Sequence, residues 1–386
     1  MEIQQYEDWS LRIAQATVEQ RIPLSGTIEI TCRCNLRCDH CYNNLPLTSH
    51  IPEGGELSTE EHYRILDEVT EAGCLWLLYT GGEIFVRKDF LDIYTYAKKK
   101  GLLVTLFTNA TLLSPEVADY LAEWRPYSVE ISLYGRSRET YERVTGVPGS
   151  YDRCMRGIRL LLERKLPLKL KTLVSRINKH ELWEMKRFAE DDLGLEFRFD
   201  AMINPRIDLS HKPLSLRLTP QEVVQLDLQD NKRAEEWIEF CQQFHGAFTN
   251  RPNKLYQCGG GISTFHINPA GMMGVCVLAR SENYEIRKGD FREGWDHFLL
   301  KTTEKEITRQ TKCVGCEIHD MCGMCPPNGE LENEDAEEPV DFFCQVAHLR
   351  AYALGISVGP HGECEYCQGG SKYQDMMQAV EALRGI

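Results

Sequence analysis

Three cysteines share one short stretch, Cys34-Asn-Leu-Arg-Cys38-Asp-His-Cys41. Intervals of three and two residues let a single tight loop turn three thiolates onto a common soft metal centre. Iron–sulfur cubanes that only carry electrons take four cysteine ligands. A fourth is not at hand, because Cys32 precedes the loop and would have to fold back. A cubane held by three cysteines leaves one iron open to bind something else. A zinc knuckle is the other metal chemistry open to this spacing.

From about residue 245 a second group of cysteines appears. Cys258-x12-Gly271-x4-Cys276 is followed by Cys313-x2-Cys316-x5-Cys322-x2-Cys325-x18-Cys344. Within it, Thr264–Cys276 reads as a hairpin turning at Asn268–Gly271. The gap between the two CxxC pairs is short for a zinc ribbon. Sixteen cysteines without a basic, apolar leader at the N-terminus indicate metal ligation in a reducing cytoplasm rather than disulfides.

The first loop resembles the CxxxCxΦC signature of radical S-adenosylmethionine (SAM) enzymes, with His40 where an aromatic residue is usual and Tyr42 directly after. The resemblance implies a site-differentiated 4Fe-4S cluster on Cys34, Cys38 and Cys41. Its open iron chelates the amino and carboxylate groups of SAM, whose reductive cleavage gives a 5′-deoxyadenosyl radical. Gly81-Gly82-Glu83 resembles the GGE motif that holds the SAM amino group in this family; alone, such a tripeptide is an ordinary turn. Its glycines let backbone approach a ligand closely. By position, Asn109, Ser132 and Arg143 are candidate ribose or carboxylate contacts. Asp200 and Arg206 are candidates to face the substrate, with a plain salt bridge as the alternative.

The late segment resembles the SPASM extension, which holds two auxiliary iron–sulfur clusters in enzymes that mature peptides and proteins. The interval between Cys322 and Cys325 is one residue shorter than the family's. Apportioned by spacing, Cys313, Cys316, Cys322 and Cys344 enclose one cluster. Cys325 precedes Pro326, as in two-cluster ferredoxins where that cysteine serves the other cluster. Cys258, Cys276 and Cys325 then hold the remaining cluster, with Cys364, Cys367 or a substrate as its fourth ligand.

These residues need elements to position them. Six apolar runs, Gly26–Thr31, Leu75–Tyr79, Leu102–Phe107, Tyr127–Leu133, Leu168–Val174 and Leu195–Phe199, alternate with helical stretches. Among the latter are a capping box at Ser58–Glu61, Ser114-Pro115 opening a helix, and Asn178 with Glu181 capping another. Such alternation predicts right-handed βαβ units, and polar or Gly-rich segments follow every strand. An open sheet and a barrel both satisfy this pattern; the resemblance selects the barrel. The expected fold is α/β, a partial (βα)6 barrel followed by a small Cys-rich SPASM domain with two auxiliary clusters. Its expected divisions are an N-terminal helix over 1–24, the barrel over 25–244, the SPASM domain over 245–350 and a C-terminal extension with CxxC over 351–386.

A net charge of −14 argues against nucleic acid as a partner, and no apolar run is long enough to span a membrane. The acidic run Glu330–Glu338 reads as a solvated loop. The resemblance implies a maturase that abstracts hydrogen from a ribosomally made peptide to form a crosslink or an oxidised side chain. Val277 stands where sulfatase-maturing relatives carry an Asp base, which argues against formylglycine formation. The alternatives are a radical SAM enzyme acting on a small molecule or tetrapyrrole, a non-enzymatic electron carrier, and a zinc-binding adaptor. Expected partners are the precursor peptide and a reductant such as flavodoxin or ferredoxin. Only about twenty residues precede the first strand, too few for a leader-binding winged helix. If the substrate is a leader-bearing peptide, a separate leader-binding protein is therefore expected; the alternative is a substrate that enters the barrel mouth without a leader.

Overall fold

Alternation of apolar and polar residues along each expected strand leaves one face to be covered. In the computed structural model, which describes residues 16–43, 45–46, 55–244, 253–279 and 281–385, that face is buried. It carries Leu77 and Tyr79, Val104 and Leu106, Val129 and Ile131, Leu168 and Leu170, and Phe197 and Phe199. The strands are β1 (Ser25–Glu29), β4 (Trp76–Thr80), β5 (Leu103–Thr108), β6 (Ser128–Ser132), β7 (Leu168–Leu173) and β8 (Glu196–Asp200). They pair in that order and all in parallel. The expected six-strand α/β arrangement is therefore present. A short parallel pair, β2 (Arg33–Cys34) and β3 (Leu45–Pro46), lies apart from it.

The helices form where local signals ask for them. Ser58 and Glu61 close a reciprocal capping box on helix Thr59–Glu71. Ser114 caps helix Pro115–Glu123, with proline in its first turn. The N-terminal helix expected over 1–24 lies mostly outside the described residues. Asn178 and Glu181 do not cap as expected, since neither makes a side-chain cap. Instead Asn178 Nδ2 donates to the Tyr134 carbonyl (3.2 Å), and Glu181 accepts from the Arg136 (2.6 Å) and Ser137 (3.0 Å) amides. Both residues tie the loop after β7 to the loop after β6.

The divisions of the chain differ from expectation. The hairpin β9 (Thr264–Ile267) and β10 (Met272–Gly274) turns at Asn268–Gly271 as its sequence predicts, with Gly271 at φ +80°. However, β9 lies parallel against β1. With β11 (Tyr284–Glu285) it extends the sheet to nine strands among the described residues, ordered β11-β10-β9-β1-β4-β5-β6-β7-β8. One compact unit is therefore Met1–Asp200 with Gly259–Thr303, and the other is Ala201–Cys258 with Glu304–Ile386. The reason is packing. The Phe265 ring lies over Gly26 of β1 and against Phe291 and Trp295, with ring centroids 4.8 and 6.4 Å away.

In the second unit, helix Asp341–Ala353 packs on helices Pro220–Gln229 and Tyr373–Arg384, so residues 351–386 are continuous with the Cys-rich segment. Its core holds a buried charge set. Asp227 accepts from Arg350 (2.9 Å) and Arg233 (2.6 Å), and Arg350 also donates to the Met321 carbonyl. Buried charges require such pairing. The acidic run is not a solvated loop: Glu332 pairs with Arg217 (3.0 Å), and Glu337 accepts from the Thr308 amide (3.0 Å).

Gly26 tests this packing. A Cβ there would stand 2.2 Å from the Phe265 ring, which its aromatic neighbours hold in place. Gly26→Ala should destabilise the first unit by about 1–3 kcal/mol, the usual cost of overpacking. Urea denaturation of the anaerobically purified protein measures this; an unchanged midpoint would contradict the packing of β9 on β1.

Candidate active site

The loop bearing Cys34, Cys38 and Cys41 leaves the C-terminal end of β1, and Gly81-Gly82-Glu83 leaves the neighbouring end of β4. Backbone meets backbone between them. The Gly82 amide donates to the Thr31 carbonyl (2.7 Å) and the Glu83 amide to the Arg33 carbonyl (2.9 Å). A Cβ on Gly81 would lie 2.4 Å from the Thr31 carbonyl oxygen, and one on Gly82 would lie 2.1 Å from that of Arg33. Gly81 also sits at φ +132°. The glycines are thus explained by close docking of the cluster loop, where the sequence suggested close approach to a ligand.

Glu83 is buried and serves the same frame. Its carboxylate accepts from Thr108 Oγ1 (2.7 Å), the Asn109 amide (2.7 Å) and the Phe85 amide (3.3 Å). Burial pushes the carboxyl up to about 7 despite these hydrogen bonds. Asn109 continues inward: its Nδ2 donates to Asn35 Oδ1 (3.0 Å) and reaches Cys34 Sγ (3.8 Å). Asn109 therefore holds the cluster loop itself.

The thiols of Cys34, Cys38 and Cys41 act on one another. Burial first, and then neighbouring charge, pushes Cys34 up to about 12 and Cys38 well above an ordinary thiol. Cys32 does not join them; its Sγ points to Glu56 (3.6 Å). Three buried thiols that disfavour one another's ionised form fit a cationic iron–sulfur cluster, which would supply the charge that ionises them, and among the described residues no fourth cysteine joins them. His40 is buried, its pKa drawn down to about 4 by desolvation, and it packs edge-on to Tyr134 at 4.8 Å. It is therefore neutral and fills the place of the usual aromatic by packing. Tyr42 donates to Glu29 Oε1 (2.8 Å), and His266 of β9 meets Glu29 Oε2 (3.1 Å). Glu29 and His266 escaped sequence reasoning, because a lone Glu in an apolar strand carries no motif. The only available signal was a charged residue at a core position of β1.

The remaining candidates are scattered. Ser132 is half-buried at the end of β6 and reaches the Tyr134 hydroxyl. Arg143 is exposed in the last turn of helix Arg138–Thr145, whose end accepts from the Arg37 amide (2.9 Å). Asp200 ends β8 with an exposed side chain, while Arg206 belongs to the second unit. The less buried sheet face carries Glu130, Lys171, Glu196 and Arg198. Lys171 lies 3.3 Å from Glu130, and burial draws its ammonium down to about 7 against that carboxylate.

In the second unit, Cys313, Cys316, Cys322 and Cys344 line one cavity, the set expected for a single cluster. Cys258 and Cys325 line a larger one of about 270 Å³, with Leu255, Val314 and Met324. Cys276 lies in the first unit. Cys364 and Cys367 are absent from the larger cavity's lining; they are buried beside His348 and His361. Burial raises the Cys364 thiol, but hydrogen bonds from the two histidines outweigh it and hold the group down to about 5.

The frame has a pH signature at His62 of helix Thr59–Glu71. Arg87, which follows the Glu83 turn, directs Nη1 at His62 Nε2 (3.3 Å) and at the Ile30 carbonyl (3.3 Å). A guanidinium only donates, so His62 Nε2 must accept and the ring must be neutral. Burial and then Arg87 draw its pKa down from 6.5 to about 3. The unfolded chain thus takes up this proton first. Its contribution is fully present above pH 6.5 and declines as pH falls toward 3, by at most ~1.4 kcal/mol per pH unit. His62→Gln, which keeps an acceptor for Arg87, should flatten the slope of stability between pH 6.5 and 5. An unchanged slope in urea titrations would refute the neutral ring.

Comparison with known proteins agrees with this geometry. Residues 28–189 match the Radical SAM superfamily. The chain is 28% identical over 340 residues to an AdoMet-dependent heme synthase of Methanosarcina barkeri, covering 82% of this chain and 95% of that protein. It is 33% identical over 262 residues to the PqqA peptide cyclase of Bradyrhizobium diazoefficiens, covering 67% and 68%. The fold is similar to that of Streptococcus suis SuiB bound to precursor peptide SuiA, with a TM-score of 0.59, 15% identity, and coverage of 85% of this chain and 78% of that one. Among the described residues no helix is long and apolar enough to cross a membrane. The chain belongs to the radical SAM superfamily and is an enzyme of that type, and its C-terminal segment is rich in cysteine.

Proposed function

We propose that this enzyme is a maturase that takes a hydrogen atom from a carbon of a ribosomally made peptide, leaving a crosslink or an oxidised side chain. The observation that carries the radical chemistry is the three-thiol loop, with Cys32 drawn away by Glu56. With a 4Fe-4S cluster bound there, SAM supplies the 5′-deoxyadenosyl radical as hydrogen acceptor. The chain's own part is to hold that centre rigid. Glu83 and Asn109 fix Cys34, His40 and Tyr134 wall the loop, and Glu29 anchors Tyr42. Similarity to PqqA peptide cyclase, and a fold shared with a peptide-bound relative, support a peptide substrate.

In this reading Cys313, Cys316, Cys322 and Cys344 hold one auxiliary cluster, and Cys258, Cys276 and Cys325 contribute to another. Gly81 and Gly82 hold the cluster loop in place beside the SAM site, and Ser132 and Arg143 remain the candidates for contacts to SAM. Asp200 and Arg206 are the candidates to face the substrate. The precursor is presented by a separate leader-binding protein, and flavodoxin or ferredoxin supplies electrons.

A second reading has its own support. The match to heme synthase spans nearly the whole of that protein, which favours a tetrapyrrole. Lys171 and Arg198 would be the cations for its carboxylates, although both already have partners in Glu130 and Glu196.

Two measurements test these proposals. Replacing Cys34, Cys38 and Cys41 together by Ala should abolish formation of 5′-deoxyadenosine while leaving iron on the second unit. Continued formation would remove the loop from the chemistry. Deuterated precursor peptide from a neighbouring reading frame should pass deuterium into 5′-deoxyadenosine. Transfer from a carboxylated tetrapyrrole, with none from the peptide, would establish the second reading instead.

A further inference from the structure

His348 sits one helical turn beyond Cys344 on helix Asp341–Ala353, and its ring is buried. His361, Cys364 and Cys367 follow in the pattern H-x12-H-x2-C-x2-C and are buried as well. One ligand atom from each of the four lies within 4.8 Å of every other. Cys364 Sγ and Cys367 Sγ stand 3.4 and 3.5 Å from His348 Nε2, and Cys367 Sγ stands 3.4 Å from His361 Nδ1. A tetrahedron built on zinc–sulfur and zinc–nitrogen bonds has sulfur–nitrogen edges of roughly 3.6 Å. The thiolates of a cubane bind different irons and must stand further apart than donors sharing one ion.

The tautomer of His348 is fixed for ligation. Its Nδ1 lies 2.8 Å from the Cys344 carbonyl oxygen, which can only accept. Nδ1 therefore carries the proton, and the Nε2 lone pair faces the two sulfurs. Metal-bound histidines characteristically donate their other nitrogen in this way. The loop is clamped from outside: Lys312 Nζ binds the Glu365 carboxylate (3.1 Å), and Tyr366 donates to Asp341 (2.7 Å).

We propose that His348, His361, Cys364 and Cys367 form a tetrahedral Cys2His2 site for one zinc ion, separate from the iron–sulfur ligands. Four protein ligands leave no open position, so the ion is structural. It staples the segment over 359–372 to the helix that carries Cys344. Cys364, His348 and His361 also line the cavity of Cys313, Cys316, Cys322 and Cys344. The zinc site therefore shares a wall with that cavity and fixes the position of Cys344. This assigns Cys364 and Cys367 away from the auxiliary cluster that their spacing suggested, and it does not depend on the identity of the substrate.

The test is elemental analysis of the full-length protein purified anaerobically, with zinc-edge X-ray absorption on the same sample. One zinc per chain is expected beside the iron, with two sulfur and two nitrogen neighbours. The Cys364→Ser/Cys367→Ser double variant should lose that zinc while its iron content is unchanged. Loss of iron in place of zinc would overturn the proposal. So would wild-type protein without zinc in which both thiols are alkylated in the native state, or a zinc edge showing oxygen and nitrogen neighbours only. The absorption spectrum of the wild type decides the question even where the variant fails to fold.

Discussion

Backbone against backbone, without side chains between, is the constraint on which the active site rests. Only residues lacking Cβ can lie where Gly81 and Gly82 lie, because the carbonyls of Thr31 and Arg33 fill the space a methyl would take. That contact delivers Glu83 to the ends of β4 and β5. The buried carboxylate there gathers Thr108 and the Asn109 amide, and Asn109 in turn grips Asn35 and Cys34. The thiols are thus positioned through a chain of hydrogen bonds between rigid strand ends. A cluster loop needs such support, since donors on a loop are otherwise placed less firmly than donors on strands.

A second constraint acts at the other side of β1. Glu29 is fully buried, and an ionised carboxylate there requires donors. Tyr42 comes from the cluster loop and His266 from β9, a strand more than two hundred residues away in sequence. This explains why the hairpin joins the barrel sheet. The same strand that closes the apolar edge through Phe265 also satisfies the carboxylate beneath the cluster loop.

Much of this was legible from sequence where the signal was local. The three-cysteine spacing, the capping box at Ser58, the proline after Ser114 and the turn at Asn268–Gly271 each specify geometry within a few residues. The six parallel strands followed from their alternation with helices. Long-range facts were not legible. Nothing near Phe265 says that its ring will lie on Gly26, so the hairpin was expected in the Cys-rich domain. Asn178 and Glu181 have the residue types of caps, and only the fold shows that neighbouring loops claim them. Cys364 and Cys367 gave a spacing without a partner, because His348 lies on a helix whose pattern reads as ordinary core.

The central claim is that Cys34, Cys38 and Cys41 hold a cluster whose remaining iron binds SAM directly. Electron–nuclear double resonance on the reduced, anaerobic protein tests it most directly, using SAM labelled with 15N at the amino group and 17O at the carboxylate. Hyperfine coupling to both labels is the predicted result. A reduced cluster that shows neither coupling with SAM bound would contradict it.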